Sequence, residues 1–86
     1  MDKLQKVRDI ASRKRIKGKI VMSTRKDKKY MILINGKRIH FGAKNYSDFL
    51  DHKDKKRRKR WHQRFSGNKG YNNKLSGLYY SRMLLW

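Results

Sequence analysis

Two runs of apolar and aromatic residues, Tyr30 to Ile34 and Ile39 to Phe41, flank Asn35-Gly36 in "KYMILINGKRIHFG". Both central positions of a type I′ turn need positive φ, which Asn and Gly tolerate, so the pattern predicts a β-hairpin with strands over 29–34 and 37–41. A two-residue loop fixes the register: Ile34 opposite Lys37, Leu33 opposite Arg38, Ile32 opposite Ile39, Met31 opposite His40 and Tyr30 opposite Phe41. One face then carries Tyr30, Ile32, Ile34, Ile39 and Phe41 and reads as core. The other carries Met31, Leu33, Arg38 and His40 and is half polar. Lys19 to Thr24 adds a third strand through the charged loop Arg25 to Lys28, its register left open by the consecutive Ile20, Val21 and Met22. Three strands with one apolar face need a cover.

Three segments outside the sheet have helical periodicity. Residues 2–12 place Leu4, Val7 and Ala11 on one side, with Asp2 as N-cap, and read as a short cationic helix that docks loosely or only on a partner. The second runs from Ser47 or Asp48 to Ser66-Gly67, with Gly67 in the left-handed position past its end. Along it Phe49, Leu50, Trp61 and Phe65 fall within an arc of about 160°, shared with Lys53, Arg57 and Arg64. This long basic helix is the expected cover of the sheet, pinned by its apolar ends while the cationic stems lie over apolar neighbours. After the loop "SGNKGYNNK", the stretch "LSGLYYSRMLLW" brings Leu75, Tyr79, Met83 and Trp86 together on a short C-terminal helix, flanked by Leu78 and Leu85. The expected fold is α+β: a three-stranded antiparallel meander, a long basic helix and a short apolar C-terminal helix, in one domain spanning 1–86 with residues 1–15 as a loosely ordered basic arm.

Charge changes this picture more than any other property. Lys and Arg number 26 against six acids, all Asp, giving a net charge of +20 in 86 residues. Such a chain repels itself, and a polyanion relieves the repulsion while releasing its own counterions. Nucleic acid, DNA before RNA, is therefore the expected partner. A membrane span is not expected, for no apolar run reaches about 18 residues, and the chain is expected to be soluble and intracellular. The block Lys55 to Arg60 is all cations. It reads either as a solvated or address-bearing helix or as a set of phosphate contacts, and the contact set chosen is Lys53, Lys55, Lys56, Arg57, Arg58, Lys59 and Arg60.

The chain offers little for catalysis. It has no Cys and no Glu, and its Asp residues are scattered at 2, 9, 27, 48, 51 and 54, where metal-dependent hydrolysis needs clustered carboxylates. His52 and His62 lie ten apart and do not make the i, i+4 pair of zinc helices. Asp51 and Asp54 read as first-turn acids favouring the positive end of the helix dipole. No enzyme activity, cofactor, metal or small-molecule substrate is expected.

"IHFG" (Ile39 to Gly42), "YSDF" (Tyr46 to Phe49), "HKD" (His52 to Asp54) and "SRMLLW" (Ser81 to Trp86) resemble segments of a family of small basic proteins of nucleocytoplasmic large DNA viruses, giant viruses among them. The resemblance runs over roughly residues 16–86, although those relatives often carry Gly-Phe-Trp in place of Leu78-Tyr79-Tyr80 and an aromatic in place of Met83. It implies a virion or viral-factory setting, in host nucleus or cytoplasm, and no mechanism. The meander followed by a helix is also similar to AP2-type DNA-binding domains, an analogy of fold that would turn Arg25, Lys37 and Arg38 toward DNA and put Phe49 and Trp61 in the backing helix. Two readings follow: a basic virion or nucleoid protein binding nucleic acid through phosphates, or a minor capsid or cement protein seated on acidic surfaces of neighbouring virion proteins.

Overall fold

The structure is a computed structural model describing residues 2–86; residue 1 of the expected N-terminal arm lies outside the described residues. The order is α1 (Lys3–Arg13), β1 (Lys19–Met22), β2 (Lys28–Ile34), β3 (Lys37–Ala43), α2 (Phe49–His52), α3 (Lys55–Phe65), a 3₁₀ turn (Lys69–Asn72) and α4 (Gly77–Leu84). The strands form an antiparallel meander in the order β1-β2-β3. This is the α+β fold expected, and every β2–β3 pair falls in the register set by the turn. Asn35 and Gly36 have φ of 50° and 74°, the conformation that only such residues adopt at low cost. The open register of β1 resolves with Ile20 opposite Ile32, both buried on the core face.

The cover of that face differs from the expectation. It is supplied by α1 and α4, whereas α3 contributes no buried residue. A dry core needs an uninterrupted apolar stripe, and the cations of α3 break theirs. In α1, Val7 and Ala11, four apart, bury against the sheet with Leu4 and Ile10 at the margin. The loosely docked arm of the sequence reading is thus part of the core, and Val7 is fully buried. Asp2 caps α1, accepting from the Gln5 N–H at 2.8 Å, and the chain leaves through Arg15 at φ 57°.

The face of α4 is rotated from the one expected. Tyr80, Leu84 and Leu85 are buried, Tyr79, Met83 and Trp86 pack at the edge, and Leu75 is exposed. Its first residue sets the approach, because a Cβ on Gly77 would lie 2.1 Å from the His40 carbonyl oxygen. Only glycine lets α4 start against the β3 backbone.

Around a two-residue turn, alternate residues of the outer strands aim their backbone groups away from the sheet. The two covering helices meet some of these groups. Ser81 Oγ of α4 accepts from the Gly42 N–H at 3.1 Å on β3, and Arg8 Nε of α1 donates to the Ile20 carbonyl at 2.9 Å on β1.

The single basic helix expected from Ser47 to Ser66 is two helices. Lys53 takes φ 55°, and Asp54 restarts the chain as the N-cap of α3, accepting from the N–H groups of Lys56 at 3.0 Å and Arg57 at 3.3 Å. A left-handed residue cannot continue an α-helix, and a side-chain acceptor two residues before free N–H groups starts a new one. His52 Nδ1 accepts from the Asp54 N–H at 2.9 Å and steadies the joint. At the other end Ser66 caps α3 in the right-handed region, and Gly67 does not adopt positive φ.

Candidate functional site

Asp48 is the N-cap of α2 and Asp51 stands in its first turn, as expected, but that helix is one short turn and both carboxylates also hold lysines. Asp48 is 2 % exposed and accepts from Lys3 Nζ at 2.7 Å and Lys29 Nζ at 2.8 Å. Asp51 accepts from Lys3 at 2.9 Å and from the Asp48 N–H at 3.1 Å. This clasp joins α1, β2 and α2. Burial would push the Asp51 carboxyl up, but the Lys3 hydrogen bond and the Asp48 N–H outweigh it and hold it below the usual range. Burial would likewise lower the Lys3 ammonium, and the two carboxylates reverse that, leaving it raised. Asp54 is spent on its cap. Among the described residues the salt bridges all involve Asp48 or Asp51, so nearly all the positive charge is free.

With α2 held by the clasp, α3 reaches the C-terminal segment through aromatic contacts. Trp61 stacks on Trp86 with centroids 5.2 Å apart and planes 8° apart, and lies 4.8 Å from Phe65. Arg58 Nε donates to the Trp86 main-chain oxygen at 2.6 Å, and the Arg58 guanidinium sits 4.9 Å over the Phe49 ring. His62 places Nε2 3.2 Å from that same oxygen and Nδ1 2.7 Å from the Tyr71 hydroxyl. Latching α3 in this way fixes which of its residues face inward.

Between α3 and the β2–β3 end of the sheet opens a groove of about 1160 Å³. Arg57, Arg60 and Arg64, spaced three and four apart, form one wall. Arg25 and Lys28 stand on the other, while Phe41, Leu78 and Leu85 belong to its apolar lining. Lys29 and Asp48 also reach the groove but neutralise each other. Five unpaired cations therefore line one concavity. Tyr46, 74 % exposed, stands there too, its N–H donating to the Ala43 carbonyl at 3.3 Å and its own carbonyl held by Lys29.

The contact set expected from the sequence is divided by this geometry. Arg25, Arg57 and Arg60 line the groove. Arg58 is committed to Trp86 and Phe49, and Lys53 is the exposed left-handed joint. Lys55, Lys56 and Lys59 are exposed on α3 away from the groove wall, and Lys37 and Arg38 are exposed at the other end of the hairpin. Arg25 of the AP2-like analogy stands at the opposite end of the hairpin from Lys37 and Arg38, and Phe49 and Trp61 lie outside the helices that back the sheet. Lys28, Arg64 and Tyr46 are additional groove residues. Arg64 shares the Trp61 arc in the sequence, but no periodicity connects Lys28 or Tyr46 to it.

Cations crowd one another elsewhere as well. Burial and then the charges of Arg58, Arg82 and Arg13 depress the Lys14 ammonium below its ordinary value. His40 is engaged with Ser23, Nδ1 to Oγ at 2.7 Å, and the same Oγ accepts from the Arg25 N–H at 3.0 Å. Among the described residues no group of three or more His, Cys, Asp or Glu could hold a metal ion, and no helix is long and apolar enough to cross a membrane.

Residues 18–65, more than half of the chain, match the model of a family of unknown function, DUF5754. The chain belongs to this family. The match spans the three strands, α2 and α3, and so contains all five free groove cations and Tyr46, whereas α1 and α4 lie outside it. No curated protein and no solved structure matches the chain.

Proposed function

We propose that this DUF5754 protein binds nucleic acid, DNA first, through phosphate contacts, as a basic component of a virion or nucleoid. One observation carries the reading: Arg25, Lys28, Arg57, Arg60 and Arg64 line a single groove in which the one acid, Asp48, is already consumed by lysines. A bound phosphate chain would replace repulsion among these cations with attraction and release condensed counterions. Arginine suits the task because its planar donors bind phosphate in pairs. The viral setting rests on the resemblance of the "IHFG", "YSDF" and "SRMLLW" segments.

The test is the salt dependence of DNA affinity, followed by fluorescence anisotropy. Each phosphate contact contributes about 0.9 to the log–log slope on duplex and about 0.7 on single strands. Replacing Arg57, Arg60 and Arg64 by Gln should flatten the slope by roughly two to three units. Replacing Lys55, Lys56 and Lys59 by Gln removes the same charge outside the groove and should flatten it by less than about one unit. Equal flattening by both triple variants would refute the groove as the contact site. Absence of binding even at about 50 mM salt would refute the nucleic-acid reading and turn attention to acidic surfaces of a neighbouring virion protein.

A further inference from the structure

The groove differs from a bare cationic ridge in what lies between its charges. Trp61, Phe65 and Leu78, each half-buried, give it an apolar lining, and the ring of Tyr46, a residue 74 % exposed, stands among the cations. Tyr46 has no evident structural use for that ring. Its backbone is fixed by Ala43 and Lys29, so the side chain is an exposed aromatic on an anchored support. Charge alone would not call for such a lining. A ligand with anionic links and flat apolar faces would.

We infer that the groove takes a single strand of nucleic acid, with phosphates on the Arg57–Arg60–Arg64 wall and a base stacked on Tyr46. This deepens the phosphate-binding reading and rests on it. Size separates the two forms of DNA. The body measures 35 × 32 × 28 Å and the groove holds about 1160 Å³, whereas a duplex, whose major groove alone is about 12 Å wide, could only rest on the rim. A duplex also hides its base faces in its own stack. A single strand presents them, and sequence-tolerant binding of single strands combines a cationic track with aromatic platforms.

The experiment compares wild type, Tyr46→Ala and Tyr46→Phe on an oligothymidylate of about 12 nucleotides and on a duplex of equal length. Because Tyr46 is exposed, both variants should melt as the wild type does. Tyr46→Ala should weaken single-strand binding by roughly five- to a hundredfold with an unchanged salt slope, and Tyr46→Phe should restore it. Duplex affinity should be indifferent to both changes. Salt-dependent binding that ignores Tyr46→Ala, or a loss shared equally by duplex and single strand, would overturn this inference while leaving phosphate binding intact. Absence of salt-dependent binding to either probe would overturn the phosphate reading itself, and the stacked strand with it.

Discussion

Replacing Gly77 with Ala tests how α4 is seated. In an exposed helix interior this change stabilises by up to about 1 kcal/mol, since alanine loses less backbone freedom on folding. At Gly77 the added methyl would be placed 2.1 Å from the His40 carbonyl oxygen, a backbone atom of β3 that cannot rotate aside. To reach ordinary contact, α4 would have to withdraw by on the order of 1 Å, loosening Tyr80, Leu84 and Leu85, each at most 3 % exposed. Overpacking of this kind costs about 1–3 kcal/mol and outweighs the propensity gain. For a domain this small, 1 kcal/mol moves the melting temperature by about 4–8 °C, so a loss of roughly 5–15 °C is expected by circular dichroism. Gly67 is the control: a Cβ there meets nothing within 4 Å, and its φ is not positive. Gly67→Ala should be neutral or gain a few tenths of a kcal/mol to about 1 kcal/mol. Should both variants melt at or above the wild-type temperature, α4 does not press on β3 as described.

Two further outcomes concern the clasp and the latch. The Asp51 carboxyl is held below its unfolded value of 3.8, so its contribution is present above that value and fades as pH falls below it toward the folded value; urea titrations should show Asp51→Asn less stable than wild type at neutral pH, the gap narrowing as the carboxyl protonates at acid pH, and a gap independent of pH would refute the ion pair. Trp61→Ala should free α3 from Trp86 while leaving the sheet intact, so amide exchange should quicken across residues 55–65 and stay slow in β2; uniform loss of protection would mean that α3 is integral to the core.

The parts legible in the sequence are those fixed by local chemistry. Asn35-Gly36 determines the turn, the turn determines the register, and the register selects Tyr30, Ile32, Ile39 and Phe41 as core. The covering helices were harder to read because long-range packing chose between near-equivalent faces. Residues 78–80 and 83–86 of the C-terminal segment are all apolar or aromatic, so periodicity cannot say that Tyr80 and Leu84 go in while Tyr79 stays at the edge. In α1 the Leu4, Val7 and Ala11 side is legible, but a stripe this short, with Lys6 and Arg8 beside Val7, does not announce that it is buried. The helix break at Lys53 was carried by Asp54, whose role as a cap competes with that of a helix-interior acid. Six consecutive cations likewise offer no preferred side until Trp61 finds Trp86, and only then do Arg57, Arg60 and Arg64 become one wall.

Strand edges are where small sheets recruit one another into aggregates, since unpaired backbone groups invite a further strand. In this protein both edges carry a plug from the helix that covers the neighbouring core, Ser81 on the Gly42 N–H and Arg8 on the Ile20 carbonyl. The plugs come from side chains whose helices are already committed to burial, so an incoming strand would have to lift α1 or α4 off the sheet before it could extend the ladder at those points. Gly77 lying against the His40 carbonyl blocks another outward position of β3. Wherever copies of the chain are crowded together, plugged edges favour separate folded units over fusion through a shared sheet.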